Sequence, residues 1–198
     1  MEAILGAIFF GLVSYVGILL AGTISATPFD DGPVPAQPPL LGIAAGAALV
    51  GTLLAQHADG SGHMVIYAIV VCALSAVWCT DVRYGIVPDA FTLVPLALLL
   101  GIALVERDPW PFVSAAVAFA PFAGMAIVSK GRGMGWGDAK LAALGGAVLG
   151  GETALVAFAG GALVAAIYAY ARGRRKEVIA FAPYLAGAIG IAMPFMTS

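Results

Sequence analysis

Long apolar stretches alternate with short polar or proline-rich connectors along the whole chain. Eight stretches can be marked, with ends uncertain by about 2–4 residues. The predicted spans are Ala3–Ile24, Leu40–Gln56, Met64–Thr80, Ala90–Val105, Pro111–Ser129, Leu141–Gly150, Thr153–Ala171 and Val178–Phe195. Within each span the apolar residues run continuously, which is typical of membrane helices, whereas barrel strands alternate. The pattern therefore predicts an all-α, polytopic transmembrane helix bundle of about eight helices.

Composition agrees with a membrane location. Of 198 residues, 62% are hydrophobic and 10% are charged, and the mean hydropathy is +1.02. Soluble domains carry about 25% charged residues, so the sequence predicts an integral membrane protein without a soluble domain. The lipid bilayer is its predicted partner, and no nucleic-acid partner is predicted.

The sixth predicted span is too short to cross a bilayer by itself. Ten to twelve residues rise only about 15–18 Å against a hydrocarbon core of about 30 Å. Merging this span with the seventh would move the cluster Arg172–Lys176 to the opposite side of the membrane. We therefore expect the two spans to be separate, with the sixth helix starting earlier, near Gly135, so that Asp138 lies in its first turn.

With eight spans, eight of the nine basic residues fall on one side. They are Arg83, Lys130, Arg132, Lys140, Arg172, Arg174, Arg175 and Lys176, while Arg107 alone lies on the other side. The positive-inside rule makes the basic side cytoplasmic. The sequence predicts a multi-pass protein of the inner (cytoplasmic) membrane with both termini on the non-cytoplasmic side.

The N-terminal part differs from the rest in its connector. Residues 1–63 are predicted to form two helices joined by a short cytoplasmic loop, Ser25–Pro39, which contains five prolines and Asp30 and Asp31. No Lys or Arg precedes the first apolar run, so we expect a retained anchor instead of a cleaved signal peptide. Residues 64–198 are predicted to form a core of about six helices.

The cysteines and histidines do not make a convincing metal set. Cys72 and Cys79 lie seven residues apart in one apolar segment, and no further Cys or nearby His completes a ligand group. His57 and His63 flank a short polar connector. We interpret the cysteines as packing residues and the connector as solvated, and we predict no metal and no cofactor.

Two acidic residues lie at the ends of predicted membrane helices, where a carboxylate is costly and often functional. Asp81 is predicted to end the third helix and Asp138 to begin the sixth. Topology alone then puts both at similar depth on the cytoplasmic side. The alternative is structural: Asp138 caps its helix and Asp81 solvates a helix end.

A shared site would give the two acids hydrolytic chemistry. Two neighbouring carboxyl groups do not both ionise readily, so one can take a proton from attacking water while the other donates one. The helix start at Asp138 favours negative charge on that acid. Glycines at 131, 133, 135 and 137 would let a substrate strand approach the backbone closely.

At these residues the sequence resembles the type IV prepilin peptidases. Gly135-Trp-Gly-Asp138 followed by Lys140 is similar to their GxGD signature, and Asp81 followed by Val87-Pro88-Asp89 is similar to their other acidic motif. Phe181-Ala-Pro-Tyr184 resembles the family's late proline-containing segment. The resemblance spans residues from about Met64 to the C-terminus.

The resemblance implies an intramembrane aspartyl endopeptidase with Asp81 and Asp138 as the catalytic pair. Such enzymes remove the basic leader from prepilin and pseudopilin precursors at the cytoplasmic membrane boundary, in type IV pilus and type II secretion systems. Pro88, Asp89, Gly135, Gly137 and Lys140 would be supporting motif residues, with Asp89 positioning its loop. For Lys140, two roles stay open: tuning the charge at Asp138, or extending to the lipid headgroups.

This chain departs from the full-length bacterial form. That form carries a cytoplasmic domain with paired CxxC zinc motifs and an N-methylation activity between its first two helices. The corresponding connector, Ser25–Pro39, has no cysteine. The resemblance therefore implies peptidase activity without bound zinc and makes methyltransferase activity doubtful. Short forms of this kind resemble the peptidases of tight-adherence pilus systems and archaeal preflagellin peptidases.

Two other functions use the same acids differently. A small transporter or channel subunit would use Asp81 and Asp138 as a proton or ion relay, although no acid lies in mid-membrane after Asp138. A non-catalytic membrane component of a pilus-assembly complex would tolerate replacement of both acids.

Overall fold

The computed structural model describes the backbone of residues 2–23, 40–57, 61–130, 134–172 and 180–195, and their side chains except at 2, 55–57 and 61–63. Eight α-helices are found in these ranges. They are α1 Glu2–Thr23, α2 Leu40–His57, α3 Ser61–Tyr84, α4 Asp89–Glu106, α5 Trp110–Val128, α6 Trp136–Leu149, α7 Gly151–Ala171 and α8 Ala182–Ala192. A 3₁₀ turn, Met193–Phe195, follows α8. The described part of the chain contains no strand.

The outer surface of the bundle is apolar. Leu41, Val105 and Val128 each expose more than four-fifths of their surface, and many other large apolar side chains point outward. Five helices, α1, α3, α4, α5 and α7, are long and apolar enough to cross a bilayer. An apolar exterior of this extent is unfavourable in water and suits lipid. The fold is a polytopic helix bundle, as the sequence predicts, and the chain is a multi-pass membrane protein.

The predicted break between the sixth and seventh spans is confirmed. Helix α6 begins at Trp136 with Gly135 as its N-cap, and it ends at Leu149. Gly150 has a φ of 78°, a left-handed value that suits glycine, and α7 begins at the next residue. Even with the earlier start, the 14 residues of α6 rise only about 21 Å.

Helix α6 is the centre of the bundle, with α4, α5, α7 and α8 packed around it. Small residues make this possible. A Cβ added to Gly146 would lie 2.4 Å from the carbonyl oxygen of Ser114 on α5, and one added to Gly145 would lie 2.6 Å from the ring of Phe158 on α7. The close approach of α5 to α6 thus depends on the absence of a side chain at Gly146. Gly150 and Gly46 have no such neighbour within 4 Å.

Helix α3 is longer than predicted, because it continues past Asp81 to Tyr84. The prediction that Asp81 ends this helix is therefore wrong. The chain leaves the helix at Gly85, whose φ is 64° and whose N–H donates to the carbonyl oxygen of Asp81. A glycine with a positive φ commonly ends a helix, as Gly85 does here. A charged residue such as Asp81 can stay inside the helix because its side chain has a hydrogen-bond partner.

Helix α8 begins later than predicted, at Ala182 instead of Val178. Residues 180 and 181 are not helical, and Phe181 is the N-cap. Pro183 lies in the first turn of α8, where a missing N–H costs no hydrogen bond within the helix, so a proline suits the start of a helix. Ala180 and Phe181 therefore extend the hydrophobic pattern without extending the helix.

The N-terminal hairpin attaches to the core through α1, which packs against both α2 and α3. The hydroxyl groups of Ser14 and Ser75 are 2.8 Å apart in a buried hydrogen bond. A Cβ on Gly17 would lie 2.2 Å from the carbonyl oxygen of Cys72, so these helices touch backbone to backbone. Cys79 is buried beside α1 and α2, in agreement with a packing role.

Several predictions concern parts of the chain outside the described residues. They are the loop Ser25–Pro39 with Asp30 and Asp31, the glycines 131 and 133, the basic residues Arg132, Arg174, Arg175 and Lys176, and the side chains of His57 and His63.

Replacing Gly146 by alanine should lower the unfolding temperature of the protein in detergent. The added methyl group must push α5 away, which costs about 1–3 kcal/mol in a well-packed core. Gly124→Ala on α5 is the matched control, because its Cβ would meet no atom within 4 Å. The control should be as stable as the parent or slightly more stable. Equal unfolding temperatures for the two variants would contradict the close contact between α5 and α6.

Candidate functional site

Asp81 and Asp138 lie at one end of the bundle, and both are buried. Their side chains are 7% and 9% exposed. The segments that carry them meet, because Gly137, next to Asp138, packs against Val87 in the connection that follows the helix of Asp81. The structure therefore brings together the two acids that the sequence singles out, although they are 57 positions apart in the chain.

Asp138 is the third residue of α6 and caps the start of that helix. Its Oδ2 atom accepts the N–H of Gly135, the N-cap residue, at 3.1 Å. Gly135 itself has ordinary extended geometry, with φ −82° and ψ 155°. The capping role weighed as the structural alternative is thus present. It occupies one oxygen of the carboxyl group.

Asp81 has a backbone partner that sequence reasoning missed. Its Oδ2 atom accepts the N–H of Ala182, the first residue of α8, at 3.2 Å. The alternative that Asp81 solvates a helix end is contradicted by its burial. This contact could not be predicted from residue types, because every residue except proline has a backbone N–H. The available signal was the resemblance of the segment Phe181–Tyr184 to a family motif.

The two acids have matching surroundings. Asp138 lies in the first turn of α6, and the side chain of Asp81, which lies near the end of α3, reaches the start of α8; each accepts one backbone N–H through Oδ2. The partial positive charge of a helix N-terminus favours a carboxylate there. The sequence ascribed this effect to Asp138 alone, but α8 provides it for Asp81 as well. Among the described residues, neither Oδ1 atom has a hydrogen-bond partner, so each carboxyl group keeps one oxygen for a water molecule or a substrate.

The two acidic motifs touch each other directly. A Cβ on Gly137 would lie 2.6 Å from the Cβ of Val87, so only glycine fits at this point of contact. Val87 precedes Pro88, which is the N-cap of α4. The contact between Gly137 and Val87 holds the start of α6 against the connection between α3 and α4.

An ion pair links the same two segments at the surface. The Nζ atom of Lys140 on α6 lies 2.5 Å from Oδ1 of Asp89 at the start of α4. Neither of the two roles considered for Lys140 named this partner. Because Asp89 is 61% and Lys140 29% exposed, the pair contributes little to stability. Its geometry suits a positioning contact between the motifs.

No metal site accompanies the acids in the part of the chain that the structure describes. There, no three His, Cys, Asp or Glu side chains are grouped so that they could hold a metal ion.

Comparison with known proteins gives one family. The family model described as "Type IV leader peptidase family" matches residues 66–170, just over half of the chain. This range includes Asp81, Asp89, Asp138 and Lys140, and it ends before α8. Comparison with curated protein sequences and with solved structures gives no match.

Replacing each glycine of the Gly135-Trp-Gly-Asp138 segment by alanine should change the unfolding temperature at only one of the two positions. Gly137→Ala should lower the unfolding temperature, because its methyl group would collide with Val87. Gly135→Ala should leave it unchanged, because its Cβ would have only an ordinary contact of 3.6 Å with Asp138. Thermal unfolding in detergent measures both. Equal destabilisation of the two variants would mean that the motifs do not meet in this way.

Proposed function

The chain belongs to the type IV leader peptidase family, and from that premise we propose that it is an intramembrane aspartyl endopeptidase with Asp81 and Asp138 as its catalytic pair. One observation carries the proposal: both carboxyl groups are buried at the same end of the bundle, and each has one oxygen held by a backbone N–H at the start of a helix. Among the residues that the structure describes, neither acid forms an ion pair, and two buried acids held in this way suit chemistry better than packing.

The proposed mechanism needs one proton shared by the pair. The ionised carboxylate takes a proton from a water molecule as that water attacks the scissile carbonyl carbon. The protonated carboxyl group donates its proton to the carbonyl oxygen, which gives a tetrahedral intermediate with two hydroxyl groups. As the C–N bond breaks, the proton taken from water passes to the leaving nitrogen, and the intermediate returns a proton to the carboxylate that had donated one. The proton belongs to the pair as a whole, because neighbouring carboxyl groups titrate together. The Oδ1 atoms would face the substrate, since the Oδ2 atoms are held by Gly135 and Ala182.

The proposed substrate is a type IV prepilin or pseudopilin precursor with a basic leader. Its apolar helix would insert into the bilayer and leave the leader among the headgroups. The scissile bond would then lie at the depth of the two acids, near the cytoplasmic face of the inner membrane. The basic residues support this orientation, because Arg83, Lys140 and Arg172 lie at the same end of their helices as the acids. Both termini would be non-cytoplasmic.

The remaining motif residues would position the pair. Gly137 and Val87 set the contact between the two motifs, Pro88 starts α4, and the ion pair of Asp89 with Lys140 would hold that arrangement. We also propose that residues 64–198 form the peptidase core and that residues 1–63 are an added hairpin, which packs onto α3 through α1. No zinc and no methyltransferase activity are proposed.

Asp81→Asn and Asp138→Asn should each lower the rate of precursor cleavage by roughly 10³-fold or more. Each substitution removes one of the two carboxyl groups that act as base and acid. The assay mixes purified protein in liposomes with a prepilin-like precursor and follows release of the leader. Glu106→Asn, at the opposite end of α4, is the acidic control and should cleave normally.

Unfolding temperatures show whether equal folded amounts are compared. Normal cleavage by either Asp variant would disprove the catalytic pair and favour a non-catalytic assembly component. A chelator should leave the rate unchanged, and inhibition would instead point to a metal-dependent reaction.

Asp89→Asn should impair cleavage less than the catalytic variants, by about ten-fold, because loss of a positioning contact misplaces the acids without removing them. Lys140→Gln should have a similar effect. The double variant should be no worse than either single one, since both residues act through one contact. Steady-state rates for the four proteins measure this, and losses that multiply would mean that the two residues act separately.

A further inference from the structure

An apolar groove of about 850 Å³ runs between α3, α7 and α8. Its wall on α3 is formed by Trp78 and Val82, its wall on α7 includes Gly160 and Gly161, and its wall on α8 includes Pro183 and Gly187. We call it the α7–α8 groove. Nothing in the proposed hydrolysis uses it.

One end of this groove adjoins the acid pair. Val82 follows Asp81 directly, and Pro183 follows Ala182, whose N–H binds the carboxylate of Asp81. From there the groove continues along α8 to Ala192. The 11 residues of α8 rise about 16 Å, so the groove extends for several helical turns away from the acids.

The end near the acids is also bordered by a polar and aromatic cluster. The rings of Tyr168 on α7 and Tyr184 on α8 are 6.3 Å apart, and the guanidinium of Arg172 lies 5.4 Å from the centre of the Tyr168 ring. Tyrosine and arginine side chains of this kind collect at the boundary between lipid and water. The groove thus starts at the boundary and leads into the apolar layer.

Two adjacent glycines on α7 shape the groove in different ways. Gly161 brings α7 onto α8, because its Cβ would lie 2.8 Å from the carbonyl oxygen of Tyr184. Gly160 keeps the groove open, since a Cβ there would meet no atom within 4 Å. Small residues along a helix let a second helix approach closely in a membrane.

We propose that the α7–α8 groove binds the apolar helix that follows the cut site of the precursor. The proposal rests on the proposed function, because it takes the substrate to be a leader joined to a membrane helix. Such a helix must begin at the acids and run into the bilayer, and the groove follows that course. The bound helix would fix which peptide bond lies at the acids.

A second apolar groove, of about 400 Å³ between α2, α3 and α8, provides a comparison. On α8 it is lined from Ala186 to Ile191, so it begins one turn further from the acids. Trp78, Gly187 and Ile191 line both grooves. The second groove has no lining residue next to Asp81 or Ala182, whereas the α7–α8 groove has Val82 and Pro183 there, so the second groove suits a helix that continues from the cut site less well.

The test fills each groove from a glycine that has open space around it. Gly160→Phe fills the α7–α8 groove, Gly190→Phe fills the second groove, and Gly101→Phe on the exposed face of α4 is the control. Two probes are compared: a synthetic precursor with a basic leader and an apolar helix of about 20 residues, and a short peptide that ends soon after the cut site.

Gly160→Phe should lower kcat/KM for the precursor at least about ten-fold more than for the short peptide, mainly through KM. The variants Gly190→Phe and Gly101→Phe should have the same kcat/KM as the parent protein for both probes. The proposal would be overturned if Gly160→Phe lowered kcat/KM equally for both probes. It would also be overturned if Gly160→Phe had no effect, which is the result expected of a groove that only lipid fills.

Disulfide crosslinking measures whether the precursor helix binds in the groove when no cleavage takes place. In an Asp138→Asn background, Gly160→Cys should form a disulfide with a cysteine in the apolar helix of the precursor. The parent with its native Cys72 and Cys79, Gly190→Cys and Gly101→Cys should not. A disulfide between two copies of the Gly160→Cys protein in place of one with the precursor would overturn the proposal. If the wild-type protein cuts nothing but the crosslink forms, the peptidase proposal fails and the groove assignment stands.

Discussion

Burial of two carboxyl groups inside an apolar bundle is the constraint that organises this end of the molecule. A carboxylate away from water is costly unless it is hydrogen-bonded. Here the backbone provides the partners: the start of α6 serves Asp138 and the start of α8 serves Asp81. The acids therefore depend on where two helices begin, and those beginnings depend on Gly135 and on the segment of Phe181 and Pro183.

Close packing around α6 keeps that arrangement rigid. Gly145 and Gly146 allow α5, α7 and α8 to surround it, and Gly137 allows the connection between α3 and α4 to reach its first turn. The glycines thus have separate tasks that share one physical basis: no Cβ is present where a neighbouring helix or connection comes close. The GxGD segment is in this sense a packing element as well as the carrier of an acid.

The sequence was most informative about features that depend on long apolar runs and on glycine. The membrane class, the separation of α6 from α7 and the early start of α6 followed from span length and from the position of the basic residues. The end of α3 was misplaced because Asp81 looked like a boundary, whereas its carboxyl group has a partner from α8. That contact, and the pairing of Asp89 with Lys140, join residues 101 and 51 positions apart, which no local pattern records. The resemblance to a family motif predicted that the two acids form a pair, but it gave no contact between them.

The short length of α6 has a consequence for the supply of water. A helix of about 21 Å at the centre of the bundle does not match a hydrocarbon layer of about 30 Å. Lipid does not adapt to this helix, because α4, α5, α7 and α8 enclose it. Three of these neighbours are longer, with 18, 19 and 21 residues against the 14 of α6. The proposed hydrolysis would then take its water from the space that this shortfall leaves beyond the first turn of α6.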